Sequence, residues 1–152
     1  TVRALRAYDG SYPAFWADIR SRPAMSGPAD ATLINTWCMA ACWSADDDGT
    51  VRLPFDLETG AVDDEVWARW LSWDPVHMVA GHADALRSLS AIYVDAGLRD
   101  EYYLDLGAQA FVDALAAIGV EPTFFELFDA THSAIEYRYP IALRHLAERL
   151  SP

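Results

Sequence analysis

From about residue 86 the chain carries the pattern that most restricts its fold: two short apolar runs separated by one long helical stripe. Leu89 to Val94 (Leu-Ser-Ala-Ile-Tyr-Val) is rich in β-favouring residues and ends at Asp95-Ala96-Gly97, which predicts a strand followed by a turn. Leu104, Ala108, Phe111, Leu115 and Ile118 then recur every three or four positions, with Asp105, Gln109 and Asp113 opposite, as on an amphipathic helix. Gly119 stands where a helix end favours a left-handed residue. Thr123 to Phe128 predicts a second strand. Its Phe124, Phe125, Leu127 and Phe128 are apolar on both parities, as expected when both faces are covered. A last helix, starting near Tyr137 or Pro140, puts Leu143, Leu146, Ala147 and Leu150 on one side. Strand, helix, strand, helix in this order is a βαβα unit with parallel strands and a right-handed crossover.

Residues 1–80 have a different texture and read as a helical cap or insertion, with 81–152 as the C-terminal βαβα part of an α/β core. Tyr12, Phe15, Trp16 and Ile19 recur at helical spacing, and a Pro/Gly-rich stretch follows from Pro23 to Pro28. Leu33 to Trp43 is apolar nearly all round, which predicts a buried helix. Asp46 to Gly60 carries turn residues, and Val66, Trp67, Trp70 and Leu71 mark a short helix stopped before Pro75.

Two parallel strands do not make a sheet, because exposed strand edges and uncovered apolar faces invite association. The expected architecture is therefore the C-terminal part of a larger α/β sheet, whose other strands come from residues upstream of Thr1 or from a separate chain. A compact α+β domain, with the helical first half covering both faces, is the competing arrangement. Composition narrows the partners. Eleven basic against 23 acidic residues give a net charge of −12. Such a surface repels phosphate backbones and anionic lipid, which argues against nucleic-acid binding and membrane docking. No apolar run reaches membrane-spanning length, and the start shows no signal-peptide pattern, which favours the cytoplasm.

In open α/β sheets, reactive groups gather in loops beyond the carboxyl ends of parallel strands. The first run is followed by Asp95, Arg99 and Asp100, and the second by Asp129, Thr131 and His132. Adjacent parallel strands lie roughly 5 Å apart, so both loops open on one edge and a carboxylate and an imidazole become neighbours. Asp100 can then accept a hydrogen bond from one ring nitrogen of His132, which leaves the other nitrogen as a general base.

Other polar residues read as structural. Cys38 and Cys42 suit two buried thiols one helical turn apart, since a zinc site needs two further ligands. Residues 44–49 (Ser-Ala-Asp-Asp-Asp-Gly) fail a calcium-loop template, with Ser44 at its first position and Phe55 at its last, and read as an acidic surface turn. His77 and His82 do not share a helical face, and His145 falls on the exposed side of the last helix. Ser133-Ala-Ile-Glu136 fits a capping box.

The runs Ala91-Ile-Tyr-Val-Asp-Ala-Gly-Leu-Arg-Asp100 and Phe125-Glu-Leu-Phe-Asp-Ala-Thr-His132, with the residues on to Tyr139, closely resemble the end of the esterase D-like branch of the α/β-hydrolase fold. Met39-Ala-Ala-Cys-Trp-Ser44, Leu53-Pro-Phe-Asp56 and Trp73-Asp-Pro75 look like the helical insertion of bacterial members of that branch. The resemblance implies that Asp100, in its Gly-x-x-Asp context, is the acid of a catalytic triad and His132 its base, with Asp95 as the alternative acid. It implies a serine ester hydrolase acting on a small-molecule ester, with no metal or organic cofactor.

The sequence departs from that family at the nucleophile. No Gly-x-Ser-x-Gly elbow occurs, and Ser11, Ser26, Ser44 and Ser133 lack its strand–turn–helix context. Nucleophile and oxyanion hole are thus expected from an N-terminal half of the same enzyme. The chain alone is expected to be nearly inert toward esters, since losing a triad member forfeits orders of magnitude in rate. An acyltransferase using the same triad, or a non-catalytic binding or scaffolding member of the fold, would carry the same acid and base.

Overall fold

Two of the helices in the first 73 residues start at a side-chain cap, Ser11 or Asp63. Ser11 accepts the Ala14 N–H and Pro13 occupies the first turn, starting α2 (Tyr12–Ser21) after a short α1 (Val2–Leu5). α3 runs Asp30–Trp43, and Asp63 caps α4 (Asp64–Leu71) by accepting the Val66 N–H. The computed structural model describes residues 1–150. It divides into two compact units, Thr1–Trp73 and a second beginning at Asp74. That boundary puts 74–80 with the second unit, where Val79 joins the core.

The first unit packs around Leu5, Tyr12, Phe15 and Leu33, with Trp16, Ile19, Ile34 and Trp37 against them. Tyr12 donates its buried hydroxyl to the Leu33 carbonyl at 3.1 Å. Arg22 and Asp30 form a two-pronged ion pair, at 2.8 and 2.9 Å, that closes the Pro/Gly-rich loop. α3 is not buried all round as its composition predicts. Leu33, Thr36 and Ala40 are buried, whereas Asn35, Cys38, Ala41 and Cys42 are exposed. Both cysteines are free and exposed, contrary to expectation, because only one side of α3 meets the core cluster. The acidic turn is exposed at Asp47, Asp48 and Gly49, but Ser44 at its start is buried, and Arg69 binds Asp46 at 2.9 Å and the Ala45 carbonyl at 2.6 Å.

In the second unit, Asp74 caps α5 (Pro75–Met78), and α6 (Ala83–Arg87) precedes β1 (Tyr93–Gly97). α7 (Leu104–Ala117) follows, then β2 (Phe124–Phe128), a 3-10 turn at Glu136–Arg138 and α8 (Tyr139–Leu150). β1 and β2 pair in parallel, from Tyr93 opposite Phe124 to Gly97 opposite Phe128, so the chain is mixed α/β with the expected element order. Gly119, at φ 73°, ends α7 as its position predicts. Val79, Leu115 and Val120 form the core with Ile92, Phe111 and Ile118 against it, so the C-terminal half of the predicted α7 stripe does the packing, whereas Leu104 at its start is exposed.

Three expectations are corrected here. The first strand begins four residues later than Leu89, because the Ser88 and Leu89 amides still bond back to α6 carbonyls. Pairing then continues through Asp95-Ala96-Gly97, which is strand and not turn. The two faces of β2 are not fully covered either: Phe128 is buried, but Phe124, Phe125 and Leu127 are only half-buried. α8 has no buried residue, and Leu143 is 67% exposed. Among the described residues no helix is long and apolar enough to cross a membrane.

Candidate active site

The site is assembled where the two strands end. Beyond Gly97 the loops stay in contact: the Leu98 N–H donates to the Phe128 carbonyl at 2.8 Å, and the Arg99 N–H to the Ala130 carbonyl at 2.9 Å. Gly97 is what lets them approach. A Cβ at that position would lie 2.5 Å from the Ala130 oxygen and 2.8 Å from that of Thr131, closer than any side chain tolerates. Arg99 and Asp129 form an exposed ion pair across the loops, at 2.8 Å.

Asp100 turns back at once, its N–H donating to the Gly97 carbonyl at 3.1 Å. Its carboxylate is buried, and each oxygen has a partner. Oδ1 accepts the Tyr102 N–H at 2.7 Å, and Oδ2 lies 3.0 Å from Nδ1 of His132. Burial by itself would push this carboxyl up. The Tyr102 amide, the His132 ring and the Leu104 amide outweigh it and hold Asp100 below the usual carboxylate range. An ionised carboxylate only accepts, so Nδ1 of His132 is the donor in this contact, and in the neutral imidazole that leaves the lone pair on Nε2.

His132 is fixed on three sides. Its backbone N–H donates to Glu101 Oε2 at 3.2 Å, and the Tyr102 ring packs edge-on against the imidazole, with centroids 4.8 Å apart. The side chain is still 44% exposed, so the ring remains open to solvent. Tyr103 and Ala134, both non-glycine residues at positive φ (60° and 61°), turn the chain just after Asp100 and His132. Such strain costs on the order of 1–2 kcal/mol per residue.

No protein-family model matches the chain, and no curated protein matches it.

The structure brings Asp100 and His132 together and keeps Asp95 apart. Asp95, the alternative acid, lies in mid-strand and accepts from Arg138 Nε at 2.8 Å and from the Tyr93 hydroxyl at 3.0 Å. Of the remaining histidines, His77 pairs with Asp74 and His82 with the Met78 carbonyl, each within its own turn of chain. His145 is not on an exposed face. It is half-buried against Tyr93 and Phe124, and its Nε2 lies 2.9 Å from Thr123 Oγ1. The capping box at Ser133 is not formed: the turn at Glu136–Arg138 begins after Ile135 with no side-chain cap.

Among the serines, Ser11 caps α2. Ser44 is buried, accepting from Trp70 Nε1 at 2.8 Å while its hydroxyl is 2.6 Å from the Arg52 carbonyl. Ser26 lies within reach of Arg22. Among the described residues no group of three or more His, Cys, Asp or Glu side chains is placed to hold a metal ion.

Sequence reasoning missed Glu101 and Tyr102 as supports of His132, and missed Arg138 altogether. The signal for Arg138 was present. Asp95 and Glu126 are charged residues inside apolar strand runs and demand a nearby cation.

Proposed function

We propose that this chain supplies the acid and base of a serine-type carboxylic-ester hydrolase, as the C-terminal part of an esterase D-like α/β-hydrolase. The observation that carries the reading is the 3.0 Å contact between Asp100 Oδ2 and His132 Nδ1, on loops that leave the carboxyl ends of two adjacent parallel strands. In that role His132 Nε2 takes the proton of a serine hydroxyl as the hydroxyl attacks the ester carbonyl. The same nitrogen returns the proton to the departing alcohol. Asp100 keeps the imidazole in the required tautomer and stabilises the imidazolium that forms.

The nucleophile and its oxyanion amides come from a segment outside these 152 residues, which contain no Gly-x-Ser-x-Gly. The incompletely covered aromatic faces of β2 support this, since they are the surface that further sheet and helix would bury.

Fluorophosphonate labelling of the natural polypeptide that contains this sequence, with mapping of the labelled peptide, tests the reading. The label is expected on a serine outside residues 1–152. His132→Ala should abolish labelling, and Asp100→Asn should slow aryl-ester turnover by about 10⁴-fold. A label on a serine of this chain, or turnover indifferent to His132, would overturn it.

A further inference from the structure

Asp95 and Glu126 face each other in the parallel register, on the same side of the sheet. Two carboxylates so placed repel, and in a half-buried setting they need a shared cation. Arg138 supplies it from the turn that ends the His132 loop. Its Nε donates to Asp95 Oδ2 at 2.8 Å, and its Nη2 donates to Glu126 Oε2 and reaches the Tyr93 hydroxyl at 3.3 Å. The guanidinium carbon stands 4.3 Å from the Phe128 ring centroid. The residue is only 9% exposed, and these bonds reach both strands.

We infer that Arg138 is a positioning residue for His132, clamping the return arm of the base-bearing loop to β1 and β2. The loop leaves the sheet at Phe128, where backbone bonds hold Leu98 and Arg99 against it. It reverses at Ala134, at φ 61°, and comes back to the sheet at Arg138. Between these two fixed ends the backbone around His132 has little freedom, and the imidazole stays on Asp100. Without the cation the return arm detaches while Asp95 and Glu126 repel each other beneath it. The role rests on the reading of His132 as a base held by Asp100, but it concerns the loop and not the ester.

Long-range ¹H–¹⁵N NMR of the natural polypeptide that contains this sequence tests it, reading the His132 ring nitrogens and the exchange of the amides at positions 138 and 139, which donate to the Ile135 and Glu136 carbonyls. In the parent chain a single Nδ1–H tautomer is expected. Arg138→Met, which keeps length and apolar contact but loses the charge, should mix the two tautomers. It should also speed exchange of the amides at positions 138 and 139 by about tenfold or more, the loss of one charge-assisted hydrogen bond. Arg138→Lys should restore part of the parent pattern. Glu126→Ala, at a half-exposed site, should give the same change at smaller amplitude and covers the case in which Arg138→Met fails to fold.

Folded variants that melt earlier yet keep the parent His132 signals would overturn the proposal and leave Arg138 a stabilising ion pair only. A parent chain without the Nδ1–H tautomer would overturn this proposal together with the hydrolase reading. Variants that lose the tautomer, while fluorophosphonate labels no serine outside this chain, would sink the hydrolase reading alone.

Discussion

Replacing Gly97 by alanine should damage the site through one methyl group. The Cβ would sit 2.5 Å from the Ala130 carbonyl oxygen, and ordinary contact begins at 3.4 Å, so one of the two loops must retreat by about 0.9 Å. The obstructing atoms are backbone and cannot swing aside as a flexible side chain would. Overpacking of this kind costs about 1–3 kcal/mol. For a unit of this size, each kcal/mol lowers Tm by roughly 4–8 °C.

The displaced carbonyls, those of Ala130 and Thr131, lie immediately before His132. If that loop takes up the movement, the 3.0 Å contact from His132 Nδ1 to Asp100 opens toward about 3.9 Å, too long for a hydrogen bond. Gly107→Ala is the matched control. It lies inside α7 with nothing within 4 Å of the added methyl, and should gain about 0.5–1 kcal/mol. Calorimetry and the His132 ring ¹⁵N shifts read the two effects separately. A Gly97→Ala chain with the parent Tm and the parent His132 signals would refute the close-approach argument.

Acid should loosen the first unit through Asp30, which the hydrogen-bonded Arg22 guanidinium holds down to about 2. Because the folded value lies below the unfolded one of about 3.9, the stabilisation is present above pH 4 and fades as pH falls toward 2. All six tryptophans lie before residue 74, so Trp fluorescence follows that unit, and Asp30→Asn should flatten its acid response between pH 4 and 2. Ser44→Ala should cost about 1–3 kcal/mol, since it leaves the Trp70 indole N–H without its acceptor. A urea titration that showed no shift in midpoint would contradict that account.

The order of elements in the second unit was legible because each signal is local. Leu104, Ala108, Phe111, Leu115 and Ile118 mark a helix by spacing alone, and Gly119 marks its end. His132 and a partner carboxylate, Asp100 with Asp95 as the alternative, were legible at one rim because parallel strands send their following loops to one edge. The start of β1 was not. Whether Leu89 joins the strand depends on whether its amide bonds back to α6, and apolar composition cannot express that competition. The exposure of Cys38 and Cys42 was hidden for a similar reason, since an all-apolar helix does not say which of its sides finds a partner.

By itself, then, the sequence determined the period of each element, the parallel connection and the two residue types brought to one rim. Which carboxylate meets the imidazole was decided in three dimensions. Pairing carried Asp95 into the strand and onto Arg138, and left Asp100 free to turn back beneath His132. The physical reason is that hydrophobic periodicity acts along the chain, whereas the partner of a buried charge is chosen by whichever donors the packed backbone brings within reach.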